Sequence, residues 1–411
     1  RRPVAMVSHS YYEEDPRVRR EAEALVASGR PVEVFALRQP GSRPRDEIDG
    51  VRLRRLDVQR HQGAGLPVYL AEYVSFLARA GWAVTAAHRR MRYALLQVHT
   101  IPDVLALAGL PLKLAGVPLV VDFHEAMPEF FRSRFPGAAN PVAHALLRLG
   151  ERLAVALADA VITVNDALGD RLVRLGVPRE KITIVLNSPA LARFAPARHP
   201  ARGFAEDGVL RLVYAGALSP VYELDVVFAA LARLAAARPD LSVTLDLYGR
   251  DYEELPLAAL ATSLGLGDRV RFHGRIPVED VPAAIAAADI GIAPTRRDEF
   301  TDFSLSTKLL EYAAMGKPVV ASRLPMVERT FPPATVATYS PGDPEDLARA
   351  ILGLVDAPAD REARVRRSAE RVGELAWERE AVRYTVLVER LALDGRGRGP
   401  AGGHGRAQGM R

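Results

Sequence analysis

The sequence contains no cysteine, which excludes a disulfide framework and any thiolate metal site and fits a reducing compartment. It also has no uninterrupted apolar run of membrane-spanning length, because Pro111, Lys113 and Pro118 break up the most apolar stretch, residues 105–121. No segment has the pattern of a signal peptide. We therefore expect a cytoplasmic protein.

Acidic residues are outnumbered in the first half of the chain but not in the second. Residues 1–188 contain 26 basic and 20 acidic residues, whereas residues 189–394 contain 25 and 30. Because basic and acidic residues are nearly equal in number over residues 1–394, the charge of this part of the chain gives no indication of nucleic-acid binding. The basic clusters of the first half indicate either solvated surface or peripheral contact with an anionic membrane face or an acidic acceptor. These clusters are Arg52, Arg54, Arg55 and Arg60, then Arg89, Arg90 and Arg92.

Predicted strands and helices alternate along the body, beginning with a βαβ unit whose helix starts at Pro16 and is capped by Gly29. Apolar strands in such repeats indicate a parallel sheet covered on both faces. We predict an α/β fold of two Rossmann-like, doubly wound domains facing a central cleft. The predicted divisions are a first domain (1–188), a linker (189–208), a second domain (209–376), a helix crossing back to the first domain (377–393) and a disordered Gly/Arg tail (394–411). Long helices are predicted over 103–115 and 361–393.

One stretch, residues 301–322, combines a loop, a helix, a turn at Gly316 and a buried strand. The helix N-terminus suits a phosphate, and the hydroxyls of Ser304, Ser306 and Thr307 are predicted to cap it. Lys308 adds a positive charge to the first turn, where the helix dipole disfavours one, and Glu311 lies one turn further on. These residues predict a nucleotide-diphosphate site, and the alternative is a surface helix with an exposed Lys and Glu.

The segment DFHE follows a predicted buried strand. His124 at such a strand end can orient or deprotonate a hydroxyl, and Glu125 can set its tautomer or act as the base. A structural histidine is the alternative. No second histidine stands at metal-ligand spacing, so we expect no metal site.

Three further loops follow predicted strands of the second domain. Gly216 would let a ligand approach the backbone, and Gly274 could admit a planar base. Arg250 and Arg275 lie just beyond strands. They are either surface charges or phosphate contacts.

In order along the chain, DPRVRREAEALVASG, VDFHEAMPEF, IVLNSP, VYAGALSP, LYGR, VRFHGRIP, ADIGIAPT, STKLLEYAAMGKPVVAS and LAWERE resemble the retaining GT-B glycosyltransferases of the GT4 family. The resemblance implies an N-terminal acceptor domain and a C-terminal donor domain. It implies transfer of a sugar from a nucleotide-diphosphate donor to an acceptor hydroxyl with retention, in bacterial glycan or secondary-metabolite biosynthesis, without a metal or other cofactor. The acceptor would be a small molecule, a lipid-linked molecule or a glycan.

The resemblance also implies roles for individual residues. Glu311 would hold the donor ribose, and His124 would lie near the reacting sugar. In addition, we expect Glu125 to act with His124 and Lys308 to stabilise the leaving diphosphate. The resemblance also implies that Gly216 faces the donor phosphates and that Gly274, Arg275 and Ile276 meet the base. Further predicted donor contacts are Ala217, Arg250, Ser304, Leu305 and Ser306.

The chain departs from the family pattern at three positions. Phe303 replaces a usual glutamate, Ala217 a usual arginine and Tyr222 a usual lysine. We expect Lys308 and Arg250 to hold the diphosphate instead. A nucleotide-sugar epimerase of the same fold and a catalytically silent GT-B binding subunit are the alternatives to a transferase.

Overall fold

The computed structural model of the chain describes residues 1–61, 66–134, 141–200, 202–250 and 256–394. The chain divides into two compact units, one of residues 1–186 with the residues from Ala381 onward, and one of residues 187–380. Each unit has its own sheet and its own hydrophobic core. Within the described ranges, every helix is too short or too polar to cross a membrane. The predicted tail lies outside the described residues beyond Asp394.

The first unit is built on a sheet in which every described pairing is parallel except that of the edge strand β3 with β4. Its strands, in spatial order, are β3 (Arg45–Ile48), β4 (Val51–Leu56), β2 (Val32–Leu37), β1 (Val4–Val7), β5 (Leu95–His99), β6 (Leu119–Phe123), β7 (Ala160–Thr163) and β8 (Ile182–Ile184). The central strands β1, β5 and β6 are buried along their whole length. Such burial is expected for continuous apolar strands of a parallel sheet that is covered on both faces.

Helices cover this sheet. They are α1 (Pro16–Ala27), α2 (Leu66–Met91), α3 (Leu110–Leu114), α4 (Met127–Arg134), α5 (Pro141–Leu157) and α6 (Asp166–Arg174). The predicted start of α1 is correct, because the Asp15 side chain accepts hydrogen bonds from the N–H groups of Arg17 and Val18. From Ala381, a C-terminal helix (α14, Trp377–Asp394) also packs on this unit, where the Tyr384 hydroxyl donates to the Gln97 side chain at 2.7 Å.

The second unit has a sheet in which every described pairing is parallel. Its strands, in spatial order, are β11 (Val270–Gly274), β10 (Ser242–Tyr248), β9 (Val209–Ala215), β12 (Ile290–Ala293), β13 (Val319–Ser322) and β14 (Ala337–Tyr339). Its helices are α7 (Leu224–Ala237), α8 (Leu257–Ser263), α9 (Val281–Ala286), α10 (Thr307–Ala314), α11 (Pro325–Thr330), α12 (Pro344–Asp356) and α13 (Pro358–Glu374).

The strand orders of the two sheets confirm the predicted α/β, doubly wound class. The order in the second sheet is that of a dinucleotide-binding sheet, in which the chain reverses direction between β9 and β12. In the first sheet the same reversal falls between β1 and β5. Ligands bind such sheets at the carboxyl ends of the strands beside the reversal. Each unit therefore has one crevice where a ligand is expected.

Two predicted helices are wrong in extent. The helix predicted over 103–115 is a 3₁₀ helix at Asp103–Gly109 followed by α3, because Pro111 has no N–H to continue an α-helical ladder. The closing helix predicted over 361–393 is split into α13 and α14. Their junction forms because the Trp377 N–H donates to the Pro189 carbonyl at 3.2 Å instead of to the preceding turn.

Candidate functional site

Lys308 and Gly216 meet at the reversal point of the second sheet. Gly216 directly follows β9, and Lys308 lies in the first turn of α10. A Cβ atom on Gly216 would lie 2.1 Å from Lys308 Cε, so a larger residue at this position would force the lysine side chain to move. The sequence predicted that both residues contact one ligand, and the structure brings them into contact with each other.

Lys308 is buried, which excludes the alternative of a solvated surface lysine. Its ammonium lies 3.8 Å from the centre of the Tyr222 ring and 5.1 Å from that of Tyr214, both favourable cation–π distances. Among the described residues, no carboxylate lies within ion-pair distance of its Nζ atom. A buried cation with only aromatic partners is a strong site for an anion.

The N-terminus of α10 is uncapped by side chains, so the prediction of hydroxyl caps is wrong. Ser306 occupies the cap position without a side-chain hydrogen bond, and the Ser304 hydroxyl donates instead to the Phe300 carbonyl at 3.3 Å. Thr307 is exposed and Leu305 is half-buried. The first N–H groups of the helix therefore retain their capacity to bind an anion.

Backbone hydrogen bonds join the strand-end loops of this unit. The Gly216 N–H donates to the Tyr248 carbonyl at 2.7 Å, and the Gly249 N–H donates to the Gly274 carbonyl at 2.8 Å. A Cβ atom on Gly249 would lie 1.8 Å from the Gly216 oxygen, so this approach also requires glycine. The result is a continuous rim of main chain beside Lys308.

The remaining predicted donor contacts lie on or next to this rim. The Arg250 carbonyl accepts from the Leu218 N–H at 3.1 Å, one residue beyond Ala217, while the Arg250 side chain is exposed. Gly274, at φ 69°, ends β11 and leads into Arg275, which is exposed, and Ile276, which is half-buried. Glu311 is half-buried on α10, one turn beyond Lys308.

In the first unit, two histidines surround one buried carboxylate. The Asp122 Oδ2 atom lies 3.0 Å from His99 Nδ1 and 3.3 Å from His124 Nε2. The two imidazole rings are nearly parallel, with centres 5.6 Å apart. Gln97 also donates to Asp122, at 3.4 Å. Since β5 and β6 are neighbours, their carboxyl ends place His99 beside the DFHE segment.

Burial and charge together set the protonation of this cluster. Burial alone raises the pKa of Asp122, but the adjacent His124 and a hydrogen bond from His99 outweigh it and lower the pKa to about 2. Burial lowers the pKa of His124 to about 3. At neutral pH the cluster therefore contains one carboxylate and a neutral His124. Burial raises the pKa of Glu125, which makes it a stronger base, although Arg17 opposes the shift.

His99 and the role of Asp122 were not predicted from the sequence. Their ligand atoms and that of His124 lie within 4.8 Å of one another, a spacing at which they could hold a metal ion. The expectation of no metal site depended on the absence of a second histidine, and that histidine is supplied by the neighbouring strand. The signal available in the sequence was two histidine-bearing strand ends, at β5 and β6.

Two arginines of the first predicted basic cluster form ion pairs within the fold. Arg55 is buried between Glu13 and Asp46, and Arg54 pairs with Glu33 at 2.9 Å. These arginines are therefore not a free basic surface. In contrast, the three arginines at the end of α2 are exposed. They are Arg89, Arg90 and Arg92.

Two family models match the chain in succession. The Glycosyl transferase 4-like domain matches residues 15–188, and Glycosyl transferases group 1 matches residues 210–357. The first match lies almost entirely in the first unit, and the second match lies within the second unit.

Known proteins resemble the chain over most of its length. D-inositol 3-phosphate glycosyltransferase 2 of Catenulispora acidiphila is 29% identical over 356 residues, covering 81% of this chain and 79% of its own. Sucrose-phosphate synthase (tll1590) from Thermosynechococcus elongatus matches with a TM-score of 0.76 at 20% identity, covering 96% of this chain and all of its own. Anabaena Alr3699/HepE, solved with UDP and glucose, matches with a TM-score of 0.70 at 16% identity, covering 96% of this chain and 100% of its own. The two structural matches establish a shared fold.

Proposed function

Since the chain belongs to the GT4-like glycosyltransferases of the GT-B fold, we propose that it transfers a sugar from a nucleotide-diphosphate sugar to an acceptor hydroxyl, with retention at the anomeric carbon and without a metal. The observation that carries the proposal is the buried ammonium of Lys308, which has no carboxylate partner among the described residues. It lies at the reversal point of a nucleotide-binding sheet, beside an uncapped helix N-terminus.

The chemistry of the leaving group explains why these features belong together. When the bond between the sugar and the diphosphate breaks, the bond electrons and the negative charge move to the diphosphate oxygen. A fixed cation and helix N–H groups stabilise that charge more than they stabilise the intact donor, which lowers the barrier. Lys308 supplies the cation in place of the basic residues that Ala217 and Tyr222 replace, and Tyr222 holds it in position.

The rest of the donor is assigned to the adjoining rim. Glu311 accepts hydrogen bonds from the ribose diol, and the backbone of Gly274, Arg275 and Ile276 contacts the base. Arg250 is a second contact for the diphosphate. UDP is the first nucleotide to test, because the HepE structure contains it.

The first unit is assigned to the acceptor. A neutral His124, oriented by Asp122, can hydrogen-bond to a hydroxyl, and Glu125 with its raised pKa can receive the proton. The Asp122 cluster, defined as His99, Asp122 and His124, serves this orientation as a hydrogen-bonded network. We expect activity to be unchanged by EDTA. Loss of activity in EDTA with recovery on adding Zn²⁺ or Mg²⁺ would show that the metal-free assignment is wrong.

Glu311→Ala tests the donor assignment. Loss of the ribose contact should weaken UDP binding at least about tenfold, since a hydrogen bond to a charged group contributes about 1.5–3 kcal/mol. Calorimetry with UDP is the measurement. Glu345→Ala, which removes an exposed carboxylate of α12, is the matched control. Equal UDP affinity in the two variants would contradict the role of Glu311.

Product analysis tests the reaction itself. Released UDP together with a glycosylated acceptor supports transfer, whereas a changed donor sugar formed without acceptor would identify an epimerase. No turnover of any nucleotide sugar would identify a silent binding subunit.

We also propose that the first unit touches an anionic membrane peripherally. An apolar stripe at helical spacing runs along the outer face of α5, where Val142 is 69% exposed and Leu146 is 62% exposed. On α2, Val74 is 64% exposed and Trp82 is 77% exposed. Both helices contact the same Asp103–Gly109 segment, and the exposed arginines at the end of α2 suit anionic lipid headgroups.

Sedimentation with phosphatidylglycerol vesicles tests this contact. The variant carrying Trp82→Glu and Leu146→Glu should bind several-fold less than the unaltered chain, because each change puts a charge into the apolar contact. Val382→Glu, at a site on α14 that is 62% exposed, is the control. Equal sedimentation of all three proteins would disprove the assignment.

A further inference from the structure

A charged cavity lies at the amino ends of the strands of the second sheet, opposite the end at which Lys308 lies. Its volume is about 320 Å³, and it adjoins the amino ends of β12 and β13, whereas Lys308 adjoins the carboxyl end of β9. Its charged lining consists of Arg202, Asp289, Lys317, Arg361, Glu362 and Arg366. Four cations against two carboxylates make the cavity basic. The family resemblance assigns no role to it.

The buried carboxylate of the cavity is already used by the fold. Asp289 accepts hydrogen bonds from the Ala205 N–H at 3.0 Å and from the Arg211 N–H at 2.8 Å, and Arg202 lies 3.6 Å away. Arg202 also pairs with Asp207 at 2.8 Å. Arg202 and Asp289 therefore neutralise each other within a structural network. The charge that remains in the cavity is positive.

Lys317, Arg361 and Arg366 supply that charge. In the described ranges, no carboxylate lies within ion-pair distance of any of the three. Lys317 Nζ donates to the Ala286 carbonyl at 2.7 Å. This single bond leaves two of its three N–H donors for another acceptor.

Arg361 is held in place in the same way. Its Nη1 atom donates to the Leu354 carbonyl at 2.7 Å, and its guanidinium lies 3.7 Å from the centre of the Phe204 ring. Burial lowers the pKa of both Lys317 and Arg361, although Asp289 opposes the shift for both and Glu362 opposes it for Arg361. Two immobilised cations with spare donors lose little entropy on binding a ligand.

We infer that this cavity binds a small phosphate-bearing anion. A phosphate group presents several acceptor oxygens, which match a planar guanidinium and an ammonium converging from different elements. Apolar walls formed by Phe204, Pro318 and Val365 leave room for the rest of a small metabolite. The site is separate from Lys308 and does not depend on the proposed donor chemistry.

Calorimetry with pyrophosphate tests the inference. The full chain carrying Lys308→Met is titrated at constant ionic strength, because this substitution weakens pyrophosphate binding at the proposed donor site. We expect one pyrophosphate bound per chain. Adding Lys317→Gln and Arg361→Gln should weaken binding at least about tenfold, because two charge-assisted contacts are lost.

Arg366→Gln provides a second test. Because Arg366 is exposed, this substitution should not disturb the packing of the cavity. It should weaken binding severalfold, whereas Arg349→Gln, at an exposed arginine of α12 outside the cavity, should not. Absence of binding at millimolar pyrophosphate would overturn the inference. Equal affinity in the cavity variants and the Arg349→Gln control would overturn it as well, by showing that binding is nonspecific. Loss of donor binding in Lys308→Met bears only on the proposed function.

Discussion

The two crevices lie at equivalent points of similar sheets, yet they manage charge in opposite ways. In the first unit, Asp122 is enclosed by His99 and His124, so its charge is stabilised by its neighbours. In the second, Lys308 has the faces of Tyr214 and Tyr222 and no carboxylate among the described residues.

This difference shows what each crevice can bind. A network whose charge is already stabilised can orient a neutral group such as a hydroxyl without attracting an anion. A buried cation without a counter-ion is stabilised by an anionic ligand. Strand order therefore locates both crevices, and their side chains support the proposal that the second takes the donor and the first the acceptor.

Removing the cation of the second crevice should have the largest effect. Lys308→Met keeps most of the side-chain volume but not the charge, so kcat/KM should fall about 10²–10³-fold, the range for loss of one electrostatic contact to a developing charge. Steady-state kinetics with the identified donor is the measurement. Arg349→Gln, which removes an exposed charge from the same unit, is the control. Unchanged kinetics in Lys308→Met would remove the distinction between the crevices.

Moving Lys308 without removing it should have a smaller effect. Gly216→Ala would place a methyl group 2.1 Å from Lys308 Cε and displace the ammonium, so UDP affinity should fall about tenfold. Gly267→Ala is the matched control, because a Cβ atom there would meet nothing within 4 Å. If the two alanine variants bind UDP equally well, the contact between Gly216 and Lys308 does not shape the donor site.

The buried histidines of the first crevice should make the free energy of unfolding depend on pH. Burial lowers the pKa of His124 and, together with Arg60, that of His9 to about 3, from an ordinary value of 6.5. As the pH falls below about 6.5, the unfolded chain takes up protons that the folded chain does not. The free energy of unfolding should then fall by up to about 1.4 kcal/mol per pH unit for each histidine.

Chemical denaturation at several pH values between 7.5 and 5 measures this slope. Each of the variants His9→Gln and His124→Gln should flatten it by removing one titrating group. The low pKa of Asp122 should contribute only in stronger acid, where stability present above the ordinary pKa of 3.8 is lost as the pH approaches 2. A slope unaltered in both histidine variants would show that neither group is held neutral by the fold.

Local sequence patterns predicted much of the fold because they report local physics. The strands β2, β5, β6, β10 and β12 begin and end where their apolar runs do. The patterns failed where long-range contacts determine the structure. One example is the junction of α13 and α14, where the Trp377 N–H donates to the Pro189 carbonyl. The short edge strands β3 and β14 were also missed, since a partner strand stabilises them more than their own residues do.

The candidate site divides in the same way. The sequence by itself determined the α/β class and the candidacy of the strand-end glycines and of Lys308, Glu311 and His124, because helix ends and strand ends follow from local composition. Only the tertiary structure decided that His99 contacts Asp122, that the Tyr222 ring packs against Lys308 and that Arg55 forms buried ion pairs. Each of these depends on strands or helices far apart in the chain being brought together, and no local pattern encodes that proximity.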